Sequence, residues 1–446
     1  MVNVCLYFQV HQPFRMKKFR FLDIGKESDY FDEKANKELC ERIAGKCYLP
    51  ANKLMLKLIN ESQGDFKISY SITGTALEQF KAYAPEVIDS FKELASTGCV
   101  EFLAETYYHS LASVFSEKEF DFQVKKHAEA IESLFGMRPK IFRNTELVYN
   151  NSIAAYAENM GFTGVLSEGS DKVLGWRSPN FLYKPAGTKQ IGLIMKNFKF
   201  SDDIAFRFSD KKWSQWPMTS EKFVDAISSE DGNSVNLFMD YETLGEHHSE
   251  ETGIFDFFQA LPSQFKSKGV SFVTPSEIIE QFEPVMELDV NETISWADAE
   301  RDMSAWTGNK MQDNATSEIY KLEKAVKESG DSALIETWRK LTTSDHFYYM
   351  STKKMNDGMV HNYFSPYNTP YDSFISYMNI ISDMTQRLSL GDSLSSDNSS
   401  LSNANNINEE IIISDGSDDS ANLKATGTST VSPLQSSRVF EDGDEL

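Results

Sequence analysis

"VNLFMDYETLGEHH", residues 235–248, is mostly apolar from Val235 to Met239 and then turns abruptly into Asp240, Glu242, Glu246, His247 and His248. A short run that is apolar on successive residues reads as a strand buried on both faces, as in a parallel sheet covered by helices. An ionisable group directly at its end is costly to bury unless it is paired or hydrogen-bonded. The pattern therefore predicts a chain that leaves a core at Asp240 and enters a site.

The same pattern recurs outward from this stretch. "VNVCLYFQV" (2–10), "FKISYSITG" (66–74), "CVEFLAETYY" (99–108), "KIFRNTEL" (140–147), "FTGVLSEG" (162–169), "IGLIMKN" (191–197) and "VSFVTP" (270–275) are further β-rich runs. Between several of them lie segments such as 76–96 and 119–135, whose apolar residues recur at three- and four-residue intervals, the helical period. Strand and helix alternating in this way predict βα units around a parallel sheet. Seven or eight units favour a closed or nearly closed barrel, with a doubly wound sheet as the alternative. Several runs end on His11, Glu101, Glu105, Glu146, Glu168 or Asp240. The barrel accommodates this, because its strands open at their carboxyl ends onto one face.

The 446 residues are read as a barrel over 1–285, an α-helical region over 286–390 and a disordered tail over 391–446. The tail holds Ser, Asn, Asp and Gly with few large apolar residues, too little burial to offset its ordering entropy. A formal charge of −23 argues against nucleic acid as a partner, since phosphate contacts need Lys and Arg. The four cysteines show no metal-ribbon spacing, no run approaches the length needed to cross a bilayer, and the first residues lack a leader pattern. These features predict a cytoplasmic protein with no membrane partner.

Glu146 and Asp240 are the sharpest candidates for chemistry. Each also has a plainer reading as a cap for the helix that follows a barrel strand. Two carboxyls suit glycosyl transfer, one as nucleophile and the other donating and then accepting a proton. A cation such as Arg143 favours the ionised nucleophile, whereas like charges near Asp240, from Glu242 and Glu246, favour the acid. The "GEHHSEE" loop contains metal-ligand residue types, but HEXXH is absent and adjacent histidines rarely reach one ion together. His109 and His346 sit among aromatics, as sugar contacts or core histidines, and His127 reads as surface. Trp213, Trp216, Trp306 and Tyr349 are candidates for sugar stacking or for the core.

"HQPFR" (11–15), "GCVEFLAETYYHSL" (98–111), "FRNTEL" (142–147), "FMDYETLGEHH" (238–248) and "TTSDHFYYM" (342–350) occur in this order over some 340 residues. The set resembles the five signature regions of glycoside hydrolase family 57, in particular its α-amylase branch. The resemblance implies an α/β fold, an incomplete (β/α)7 TIM-like barrel followed by a C-terminal α-helical region, and retention of α-configuration. It implies Glu146 as nucleophile, Asp240 as general acid/base and His11 as a contact of the donor sugar. Glu101, His109, His247, Asp345 and His346 are implied as further substrate-lining residues. No metal or other cofactor is implied, and the implied partner is an α-1,4-glucan or maltooligosaccharide. Hydrolysis, 4-α-glucan transfer and branching share the two carboxyls and remain alternatives. A non-catalytic glucan-binding protein is an alternative of another class. A metal-dependent deacetylase needs an Asp-Asp and HxxxH set that the chain lacks.

Overall fold

In the computed structural model, residues 2–353 and 365–405 are described. Seven of the apolar runs form parallel strands: β1 (Asn3–Val10), β2 (Ile68–Ile72), β3 (Val100–Phe102), β4 (Ile141–Arg143), β5 (Gly164–Glu168), β6 (Gly192–Lys196) and β7 (Ser234–Asp240). Strands β3, β2, β1 and β7 pair in that order, as do β4, β5 and β6. The two sheets meet at an Ala104–Phe142 bridge, where Ala104 N–H donates to Ile141 O and Arg143 N–H to Ala104 O. On the other side β6 and β7 are not laddered. Asn236 spans that seam: its side-chain amide donates to Met195 O at 2.9 Å and its carbonyl accepts from Asn197 N–H at 2.8 Å. The result is a (β/α)7 barrel, incomplete along one edge.

Strand alternation explains why the runs are apolar throughout. Cys5, Tyr7, Leu103, Ile141, Leu166, Ile194 and Phe238 form a cluster inside the barrel. Their neighbours Val4, Leu6, Phe8 and Val10 pack in a second cluster with helix residues, as the two-residue period requires. The eighth run makes only a single bridge, Phe272 to Val4. It is cut short by a helix start, where Thr274 and Glu277 form a capping box and Pro275 occupies the first turn. The segment 76–96, helical in its apolar period, forms two helices, Gly74–Tyr83 and Pro85–Ser96. Pro85 has no N–H for a continuing helix, and its ring pushes Ala84 out of the helical region, to φ −149°.

Beyond the barrel, helices occupy Lys310–Lys321, Glu323–Glu328, Ser332–Leu341 and Ser344–Tyr348. One apolar cluster joins Phe142, Val165 and Leu193 of β4–β6 to Trp306, Trp338, Phe347 and Tyr377. The helical region thus covers the flank where β5 connects to β6 with only a one-turn helix, Asp171–Leu174. The described residues up to Asp392 belong to one compact unit. The helix Pro370–Asn405 continues past residue 390, where disorder is expected from composition. The rest of that expected tail, 406–446, lies outside the described residues. Among the described residues no helix is long and apolar enough to cross a membrane, and the four cysteines are buried and free.

Candidate active site

The carboxyl ends of the strands open into a cavity of about 670 Å³, a size usual for small-molecule sites. Its walls include His11, His109, Glu146, Lys196, Asp240 and His247 from the barrel, and Trp296, Arg301, Asp345 and Tyr348 from the region beyond it. Segments more than 330 residues apart therefore meet at one place: the His11 Nε2 lies 2.9 Å from Asp345 Oδ2.

Glu146 stands directly after β4 in a tight turn. Its backbone is left-handed, φ 57° and ψ 23°, as is that of Leu147 at φ 50°. For residues with a side chain this costs on the order of 1–3 kcal/mol each and persists only where the surroundings enforce it. Here Leu147 N–H bonds Asn144 O, Val148 N–H bonds Thr145 O, and Trp296 N–H bonds Glu146 O at 3.1 Å. The carboxyl is itself gripped. Trp296 Nε1–H donates to Oε2 at 2.7 Å, Ser344 Oγ–H to Oε1 at 3.0 Å, and His109 Nε2 lies 3.4 Å from Oε1.

His109 is the cation beside Glu146. Its Nδ1 is 3.0 Å from Glu105 Oε2. Burial alone favours neutral imidazole, but hydrogen bonds and charge from Glu105 and Glu146 outweigh it and raise the pKa to about 9. Glu105 is fully buried, yet its bond to His109, the His109 charge and Arg143 hold it down at about 2. Gln9 donates to its other oxygen at 3.0 Å. Arg143 stands close to this group. Its guanidinium lies 3.8 Å from Glu105 and 4.8 Å from the Trp296 ring centroid. The His11 ring stacks on His109 at 3.9 Å, and burial followed by that charge lowers its pKa.

Asp240 closes β7 across from Gln9 in register. Two residues on, Glu242 is buried, accepts a hydrogen bond from the Tyr48 hydroxyl and one from Gln12 at 3.3 Å. Burial first, then the Asp240 charge, push it up to about 8. Glu242 is thus mainly protonated at neutral pH, and Glu246 is taken up by Arg42 at 2.7 Å. The like-charge crowding expected around Asp240 is correspondingly reduced. The turn that carries these groups needs Gly245: at φ +99° its Cβ would stand 2.0 Å from Lys46 O.

A buried ionic group forms another part of the wall. Glu168 lies 3.5 Å from Lys196 and 3.1 Å from Arg301, and both cations also reach Asp202, at 3.2 and 3.4 Å. Such charges are tolerable only because each has a partner.

Of the residues singled out in the sequence, His11, His109, Glu146, Asp240, His247 and Asp345 line the cavity. Glu101 and His346 do not. Glu101 accepts from Ser276 N–H at 2.9 Å and from its hydroxyl, capping the helix Pro275–Gln281. His346 is fully buried beside Tyr349 and Tyr377, and burial pushes it down to about 4. His127 is interior rather than surface: its Nδ1 accepts from Glu105 N–H and its Nε2 donates to Ile72 O. His248 turns away from His247 toward the Ile204 and Ala205 carbonyls. Among the described residues no group of three His, Cys, Asp or Glu is placed to hold a metal. Trp306 and Tyr349 are core, and neither Trp213 nor Trp216 lines the cavity. Trp296, which also lines the cavity, is not marked by any strand end or motif in the sequence. Its only signal there is a large aromatic set in the polar stretch "ISWADAE".

Residues 5–291 match the profile of glycosyl hydrolase family 57. A curated protein of Methanocaldococcus jannaschii named "Putative alpha-amylase" is 44% identical over 394 residues, covering 84% of this chain and 82% of its own. Among solved structures, a family 57 branching enzyme from Thermococcus kodakaraensis superposes with a TM-score of 0.62 at 14% identity, over 86% of this chain and 90% of its own. A 4-alpha-glucanotransferase from Thermococcus litoralis gives 0.60 at 15%, over 84% of this chain; the match spans 59% of that protein's length. The structural likenesses speak for the fold. The family profile and the curated relative, with the strand-end site that both span, make this chain an enzyme of glycosyl hydrolase family 57.

Proposed function

We propose that the chain is a retaining α-1,4-glucan hydrolase of the α-amylase type, with Glu146 as nucleophile and Asp240 as general acid/base. The observation that carries this reading is that both carboxyls open into one cavity in unlike settings. Glu146 is almost fully buried and accepts hydrogen bonds from the Trp296 and Ser344 side chains, with His109 adjacent. Asp240 is half-exposed and backed by Glu242. Donors and a cation favour ionised carboxylate, the form a nucleophile needs.

Glu146 attacks the anomeric carbon while Asp240 protonates the departing oxygen; Asp240 then draws a proton from water, which releases the sugar from Glu146. The His109 imidazolium keeps Glu146 ionised between turnovers. His11, fixed between Thr73 at 3.0 Å and Asp345, contacts hydroxyls of the donor sugar, with His247 and Asp345 beside it. Half-exposed Phe206 on the cavity wall offers a face for a further ring.

Glu146→Gln is expected to lower turnover of a maltooligosaccharide on the order of 10⁴-fold in a protein that still folds, as its circular dichroism spectrum would show. Glu146→Ala given azide and an α-glycosyl fluoride should yield the β-glycosyl azide, because azide enters from the vacated face. Wild-type rates in Glu146→Gln, or a product of inverted anomeric configuration from the unmutated enzyme, refute the assignment. A rise in reducing ends identifies water as acceptor, and redistributed chain lengths without that rise identify a sugar.

A further inference from the structure

Trp296 grips Glu146 at two points. Its backbone N–H donates to Glu146 O at 3.1 Å and its indole N–H to Oε2 at 2.7 Å. One bond holds the left-handed peptide of the turn and the other holds the carboxyl, from a segment 150 residues away. We propose that Trp296 is a positioning residue of the reaction, orienting the Glu146 carboxylate through its indole N–H. The inference rests on the reading of Glu146 as nucleophile and adds a residue that neither the strand-end pattern nor the family motifs contain.

The platform under Trp296 is built for this. Ile294 and Tyr149 exchange both backbone hydrogen bonds at 2.9 Å, which ties the segment to the chain just beyond Glu146. Ser295 closes the far side, its hydroxyl donating to Asp302 O at 2.7 Å and its N–H to Arg301 O at 3.2 Å. The indole is partly buried and lines the cavity. Two cations approach its ring, Arg143 at 4.8 Å and Lys196 at 5.3 Å from the centroid. Positive charge near an indole draws electron density from the ring and strengthens its N–H as a donor. The cations are themselves anchored by buried Glu105 and Glu168. The hold on Oε2 is thus supported by the backbone ties of the 294–295 segment and by two anchored cations beside the ring.

A donor aimed at a carboxylate favours the ionised form and fixes the angle of attack, where small misplacements are costly. Trp296→Phe keeps a ring between the cations and deletes the N–H. In that variant the acidic limb of kcat/KM is expected to move up by about one pH unit and kcat to fall roughly tenfold, with the basic limb unmoved. A purely structural loss lowers activity at all pH values without moving one limb. Independently of turnover, the ¹⁵N-indole resonance of Trp296 in the unmutated protein should titrate with that acidic limb and cease to do so in Glu146→Gln. An unmoved acidic limb, or an indole signal indifferent to Glu146, overturns the proposal. Wild-type turnover by Glu146→Gln would instead refute the nucleophile reading and leave the indole titration to report the hydrogen bond alone.

Discussion

Burial holds the Glu242 carboxyl at about 8 against an ordinary 4.5, and its neighbours hold the His109 imidazole at about 9 against 6.5. Both shifts link the ionisation of the site to the stability of the fold. For Glu242 the folded chain keeps a proton that the unfolded chain gives up, so stability declines as pH rises from about 4.5 to about 8. For His109 the stabilisation is complete below 6.5 and is lost as pH rises through about 9. Glutamine reproduces the shape of a protonated glutamate and cannot ionise. Glu242→Gln should therefore lose less melting temperature than the unmutated protein between pH 5 and 8. Its remaining decline should fall between about 6.5 and 9, the range of His109. Equal losses in the two proteins would mean that Glu242 does not hold its proton in the folded state.

At the scale of elements, the turn after β7 is what converts a strand end into a site. It folds back onto residues 44–48, where Tyr48 reaches Glu242, and Gly245 allows the approach. Gly245→Ala adds a methyl 2.0 Å from the Lys46 carbonyl at a backbone angle of +99°, and neither backbone can yield cheaply. A loss of about 2–3 kcal/mol is expected, read as a lower denaturant midpoint at constant slope. Activity should fall further than the unfolded fraction explains, since Asp240 and His247 flank the displaced turn. A variant with unchanged midpoint and activity would show that the turn relaxes freely.

For the whole molecule, the barrel does not contain its own site. Trp296, Ser344 and Asp345 come from beyond residue 285, and the apolar faces of Phe142, Val165 and Leu193 are covered by Trp306, Trp338 and their neighbours. Ending the chain after residue 285 would expose that cluster and leave Glu146 without two donors and His11 without Asp345. The truncated protein is expected to lack a cooperative thermal transition and glucan turnover, both checked on the purified fragment. A folded, active fragment would make the helical region dispensable.

The βα order was legible in the sequence because strand and helix have different apolar periods, and because strands covered on both faces, such as "NLFM" before Asp240, are apolar at successive residues. Strand-end ionisable residues marked the face of the site for the same local reason, since a charge does not continue a core run. Motif order over 340 residues named the family. Tertiary structure alone decided which charges meet. It put His109 against Glu146, turned Glu101 to a helix cap and buried His346. It also brought Trp296 onto the carboxyl from 150 residues away. Side-chain direction at a turn, and contacts between distant segments, depend on packing that no local periodicity records.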